Sequence, residues 1–155
     1  MGDEISIRVT MPLDSDGFLR RECPTCERQF KWFGHAEGDS AAEPVDQYFC
    51  PLCGAQHGVA SWWTREQLDY ARDAAGPEID RSVQHAIKEA FKGLKAVSFK
   101  PIGNSALGIE VPDPLVEPDD MVIVEPPCHP NEPIKVPEQA AEHVHCLICG
   151  SWFAA

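Results

Sequence analysis

Positive charge is scarce in this chain and nearly runs out after Lys100. Lys135 is the only Lys or Arg among residues 101–155, against nine acidic side chains there. Over all 155 residues, 13 basic groups face 25 acidic ones, for a formal net charge of -12. Such a surface repels a phosphate backbone, so nucleic-acid binding is disfavoured; the one contrary feature is a local basic patch from Arg20, Arg21, Arg28 and Lys31. No stretch approaches the roughly 20 apolar residues of a membrane span. The start, MGDEISIRVT, lacks the basic and long apolar parts of a signal peptide. A soluble, cytoplasmic protein is the expectation. No nucleophile, base and orienting group stand in a recognisable catalytic pattern, and no Cys-x-x-Cys pair opens a helix within a βαβ pattern, which argues against thioredoxin-like exchange. A chain this short buries only a thin apolar core if it is divided in two, so it needs staples.

The staples are present as cysteines. Six of the seven stand in Cys-x-x-Cys pairs: Cys23 with Cys26, Cys50 with Cys53, and Cys146 with Cys149. Each tight turn puts two sulfurs on one side of the backbone, and two such turns fit a tetrahedral ion. Cys23, Cys26, Cys50 and Cys53 therefore form a first metal site, and an odd total argues against disulfides. Cys128, Cys146 and Cys149 supply three ligands of a second site. His129 is favoured as the fourth, with His143 and His145 as the alternatives. Two zinc ions are expected, with iron in the first site as the rival, because four thiolates suit both metals. If no protein group completes the second site, water enters, and Glu132 or Glu142 becomes a candidate base for a zinc hydrolase. His35, His57 and His85 need no special role.

The chain between these motifs reads as α+β. Ile5, Ile7, Val9 and Met11 alternate with polar residues as a strand does. Phe18–Glu22 and Arg28–Phe33 flank the first cysteine turn as a hairpin, residues 34–46 form a solvated excursion, and Gln47–Phe49 leads into the second turn, with Gln56–Trp63 beyond it. Thr64 and Gln67 form a capping box for a helix Arg65–Ala75, which Gly76-Pro77 ends. A second helix, Pro77–Leu94, carries an apolar stripe of Ile79, Val83, Ile87, Phe91 and Leu94, predicted to pack in a core. Short strands punctuated by proline follow at Val97–Phe99, Leu107–Val111, Met121–Val124, Ile134–Val136 and His143–His145. The expected domains are 1–63, a strand plus the first metal module; 64–96, a helical connector; and 97–155, a β module with the second site. Trp32, Trp62 and Trp63 are expected to pack around the first site and Trp152-Phe153 on the last knuckle. Whether the two modules pack together is left open.

Residues 17–63 resemble the zinc-ribbon group, whose cysteine turns look like rubredoxin knuckles; the matching residues are Cys23-Pro24-Thr25-Cys26 and Cys50-Pro51-Leu52-Cys53-Gly54, with 23 residues between the pairs. The resemblance implies a fold of two small antiparallel zinc-ribbon-like modules and no activity of its own. Gly54 suits the positive φ of such a knuckle; the first turn has Glu27 in the equivalent place. Together these features point to a non-catalytic zinc-binding adaptor that recognises another protein. A rubredoxin-like electron carrier, a nucleic-acid-associated ribbon and a zinc hydrolase are the alternatives. Oligomeric state is not legible.

Overall fold

The computed structural model describes residues 9–36, 38–93 and 111–155. Most of the N-terminal strand expectation, and the strands expected at Val97–Phe99 and across most of Leu107–Val111, lie outside these residues; Val9–Met11 and Val111, which are described, are not in strands. The chain divides into two compact units, residues 1–10 with 66–115, and residues 11–65 with 116–155. The first unit carries nearly all of one helix, α1 (Arg65–Ala90). It begins directly after Thr64, as the capping pattern predicts, but it does not end at Gly76-Pro77. Pro77 lies inside it. Proline has a helix-compatible φ, so with strong helix formers on both sides it forfeits a ladder bond without ending the helix. The apolar stripe also departs from expectation. Ile79 and Phe91 are exposed and Val83 and Ile87 only partly covered, while the helix buries Gln67, Gly76 and Asp80.

The second unit holds all the described strands. β1 (Phe18–Glu22) and β2 (Gln29–Phe33) form a hairpin, as do β3 (Gln47–Phe49) and β4 (Gln56–Gly58). After the helix come β5 (Val122–Val124), β6 (Ile134–Val136), β7 (His143–His145) and β8 (Trp152–Ala154), paired β5 with β6 and β7 with β8. All pairs are antiparallel. The two halves meet because β6 also pairs with β2, joining Lys31 to Lys135 and Trp32 to Ile134 in a four-stranded sheet of order β1-β2-β6-β5. The modules placed on either side of the helix thus share one sheet and lie in one unit. Periodicity reveals strands but not such distant pairings.

This sheet has two unlike faces. Phe30, Ile134, Val136 and Val124 point to one side and pack with Trp62, Val144, Leu147, Cys23 and Cys50 in the core. Trp62 is fully buried, edge-on to Phe30 at 5.7 Å, and its carbonyl accepts the Glu22 N–H at 3.0 Å. On the opposite side, Arg20, Lys31 and Lys135 stand next to one another on a single rung. Three adjacent cations on neighbouring strands repel. Two acidic loops cover them. Lys31 Nζ lies 3.1 Å from both Asp14 Oδ2 and Glu117 Oε1, Lys135 Nζ lies 2.8 Å from Asp14 and 2.6 Å from Asp16, and Arg20 bonds Glu117 at 2.9 Å and Asp120 at 2.6 Å. Lys31 and Asp14 are wholly buried. Burial opposes the Asp14 carboxylate, but bonds from Lys135, the Phe18 N–H and Lys31 outweigh it and hold its pKa far below the ordinary 3.8. A depressed carboxylate stabilises the fold above its unfolded pKa and loses that effect only as pH falls through the folded value.

Asp14→Ala would leave two buried ammonium groups short of a shared partner. The expected loss is about 3–5 kcal/mol in denaturant unfolding, whereas removing exposed Arg72 should cost under about 0.5 kcal/mol. A loss below about 1 kcal/mol for Asp14→Ala would show that the network is dispensable.

Candidate metal centres

Three turns of the same construction sit at the ends of three hairpins. In the β1–β2 turn, Glu27 N–H bonds Cys23 O at 2.9 Å and Cys23 N–H bonds Arg28 O at 3.0 Å. The β3–β4 turn repeats this with Gly54 to Cys50 at 2.8 Å and Cys50 to Ala55 at 2.8 Å. The β7–β8 turn does so again with Gly150 to Cys146 and Cys146 to Ser151, both at 2.9 Å. The first sulfur of a pair also accepts backbone N–H groups of its own turn: Thr25 N–H reaches Cys23 Sγ at 3.3 Å and Leu52 N–H reaches Cys50 Sγ at 3.4 Å. Such bonds stabilise a thiolate. The residue after each pair is left-handed, at φ 57° for Glu27, 76° for Gly54 and 72° for Gly150. The departure of the first turn from glycine is therefore one of residue type and not of backbone.

The first two turns bring Cys23, Cys26, Cys50 and Cys53 together, with all four sulfurs within 4.8 Å of one another. Cys23 and Cys53 are 3.7 Å apart, and Cys26 and Cys50 3.8 Å. A tetrahedron with metal–sulfur bonds of about 2.3 Å has edges of about 3.8 Å. Burial raises the Cys50 pKa, helped by the charge of Cys23 and Cys26. Burial also opposes ionisation of Cys26, but bonds from the Arg28 backbone and guanidinium bring it down to about 7. The cluster thus resists complete ionisation until a cation joins it. Arg28 also donates to Leu52 O at 3.0 Å, tying the two turns together.

The third turn meets the β5–β6 connection, where His129 N–H bonds Pro126 O at 3.2 Å and Glu132 N–H bonds His129 O at 3.0 Å. These two successive turns bend the chain enough for adjacent residues to face one centre. Cys128, His129, Cys146 and Cys149 group within 4.8 Å, with Cys128 Sγ 3.5 Å from Cys149 Sγ and His129 Nδ1 3.4 Å from Cys146 Sγ. Burial pushes Cys146 up to about 12, while Ser151 contacts bring Cys149 down to about 6 against its own burial. His145 and His143 are engaged elsewhere. His145 Nδ1 lies 3.1 Å from Gly150 O, and His143 stacks on Trp152 at 5.2 Å. Glu132 is tied to the loop after β2, where its Oε1 accepts the Glu43 N–H at 2.9 Å. Trp152 itself is 61% exposed, and only Phe153 of that pair packs against the core.

The second and third turns also grip each other reciprocally. Phe49 N–H bonds Leu147 O and His145 N–H bonds Pro51 O, both at 2.9 Å, so the residue before each first cysteine pairs with the residue after the other. Gly54 and Gly150 make room for this, since a Cβ on Gly150 would lie 2.6 Å from the Phe49 ring and one on Gly54 3.1 Å from the His145 ring. The second and third turns are thereby joined directly through their backbones. The sequence gives the glycines but not this second demand on them.

A third acidic grouping, Asp14, Asp16 and Asp119, is accounted for by Lys31, Lys135 and Ser15. The expected basic patch does not assemble. Arg20 and Lys31 face their acidic loops, Arg28 caps the first centre, and Arg21 is buried with its guanidinium 4.4 Å from the Trp32 ring and 4.2 Å from the Trp63 ring. Among the described residues, no helix is long and apolar enough to cross a membrane. Compared with protein-family profiles, curated proteins and solved structures, the chain matches none, so its functional reading rests on geometry.

Two substitutions at matching knuckle positions should act in opposite directions. Glu27→Gly relieves a left-handed side chain and is expected to stabilise by about 1 kcal/mol. Gly150→Ala adds both that penalty and a collision with Phe49, for an expected loss of about 2–4 kcal/mol in thermal or denaturant unfolding.

Proposed function

We propose that this protein is a non-catalytic scaffold built on two structural zinc ions, and that its task is to hold a surface for recognition of another protein. The observation that carries the reading is the closure of both donor sets: Cys23, Cys26, Cys50 and Cys53 in one, Cys128, His129, Cys146 and Cys149 in the other. Four protein donors fill a tetrahedron and leave no position for water or substrate. A cation also relieves the opposition between burial and ionisation at Cys50 and Cys146. Zinc is favoured over iron because three sulfurs and one imidazole make a typical structural zinc set, and the two centres are built from one kind of turn. Reduced thiols suit the cytoplasm. The acidic surface and the internal engagement of Arg20, Arg21, Arg28 and Lys31 favour a protein partner over nucleic acid.

Metal analysis of purified protein is expected to give two zinc ions per chain. His129→Ala should lower this toward one, while His143→Ala and His145→Ala should keep two. Iron with a red chromophore at the first centre would replace the scaffold by an electron carrier, and two tightly held zinc ions in His129→Ala would return the hydrolase reading.

A further inference from the structure

A cleft of about 310 Å³ opens where the long loop after β2 meets the β5–β6 connection. The loop, expected to be merely solvated, is tied down at two points. Glu43 N–H bonds Glu132 Oε1 at 2.9 Å, and His35 bridges Asp39 and Glu132, with Nδ1 and Nε2 each 3.0 Å from a carboxylate oxygen. The apolar wall is Leu19, Leu147, Trp32 and Tyr48, and the polar side is His35, Glu43 and Glu132. Glu132 is 5% exposed. Only its Oε1 is engaged; its Oε2 receives no donor from the described residues. His35 Nε2 is in ion-pair range of Oε1 at 3.0 Å and is a buried polar atom without a hydrogen-bond partner among the described residues. A carboxylate with only one oxygen engaged, beside a buried imidazole nitrogen without a hydrogen-bond partner, lines an aliphatic and aromatic cleft and leaves a place for one more donor.

We propose that this cleft binds the side chain of a lysine presented by a partner protein, its ammonium group donating to Glu132 Oε2 and Glu43 and its methylene stem lying along Leu19 and Tyr48, which are partly exposed there. The chain's charge of -12 draws in a cation. The geometry selects an ammonium over its relatives. A guanidinium gains most from a bidentate carboxylate, but Oε1 is already taken. A trimethylammonium needs open aromatic faces, whereas Trp32 has Arg21 4.4 Å from its ring and Tyr48 4.7 Å from it. The proposal rests on the scaffold reading for its purpose, and the test separates the two by measuring metal and ligand binding on the same samples.

The probe is Nα-acetyl-lysine N-methylamide, titrated into the metal-characterised 155-residue chain and followed by NMR shifts, with the norleucine, arginine and trimethyl-lysine analogues alongside. Saturable shifts at Trp32, Tyr48 and His35 are expected, with a Kd on the order of 1 mM, weaker binding of arginine and trimethyl-lysine, and none of norleucine. Glu132→Gln keeps an acceptor for Glu43 and should weaken lysine binding at least tenfold at unchanged metal content; Glu43→Gln, a second variant should the first fail to fold, should weaken it several-fold. Absence of saturable shifts, equal binding of norleucine, a preference for arginine or trimethyl-lysine, or wild-type affinity in the folded variants would overturn the proposal. Metal stoichiometry other than two zinc ions with lysine binding intact would overturn the zinc reading instead.

Discussion

Sulfurs held 3.7 and 3.8 Å apart, in pairs that cross from one turn to another, cannot all carry charge unless a cation lies among them. That constraint governs the second unit. Its strands are only three to five residues long, too short for a stable sheet by ladder bonds alone. Each hairpin that ends in a cysteine turn would gain rigidity from a metal held at that turn, and a fixed turn would hold the register behind it. The reciprocal bonds between the Cys50 and Cys146 turns carry that rigidity from one centre to the other.

Electrostatics explains a feature that composition alone makes puzzling. A chain so rich in carboxylates places three of its few cations side by side in the middle of a sheet. The cations work as clasps. Lys31 and Lys135 each hold Asp14, and Glu117 and Asp120 are held by Arg20 and Lys31, so the loops before β1 and before β5 are fastened to the same face. Apolar residues there would have supported the sheet without specifying which loop lies on it. The ionic row is costly to desolvate but selective about its partners.

The donor sets were the most legible feature, because metal chemistry limits both residue type and spacing. Cys23, Cys26, Cys50 and Cys53 follow from the turns, whereas His129 stands beside Cys128 and before Pro130, where an extended chain sends neighbouring side chains to opposite sides and only a sharp bend lets both reach one ion. The histidine choice needed the bends at Pro126 and Glu132, which are hydrogen-bonding facts. The helix was visible, but its continuity through Pro77 was not, since a local breaker rule competes with the helix-forming residues on both sides. The stripe expected on Pro77–Leu94 reads as core, and Trp152 as packed on the last knuckle, because in a sequence apolarity is the only sign of burial; Ile79, Phe91 and Trp152 are exposed. The cleft at Glu132 leaves no local trace: His35 and Glu43 come from the loop after β2, and Glu132 lies about ninety residues further along, in the β5–β6 connection.

The sequence by itself determined the chemistry of this protein: three cysteine turns, a fourth half-site, hairpins around them and an anionic surface. Each follows from residue type at short separation, where backbone geometry leaves few choices. Only the tertiary structure decided that the two halves share one sheet through β2 and β6, that Asp14 sits between two lysines, and that the second and third knuckles exchange backbone hydrogen bonds. Those outcomes depend mostly on pairings across about a hundred residues, where many registers satisfy the same alternating pattern and only the combined fit of the cysteine turns, charge and packing selects one.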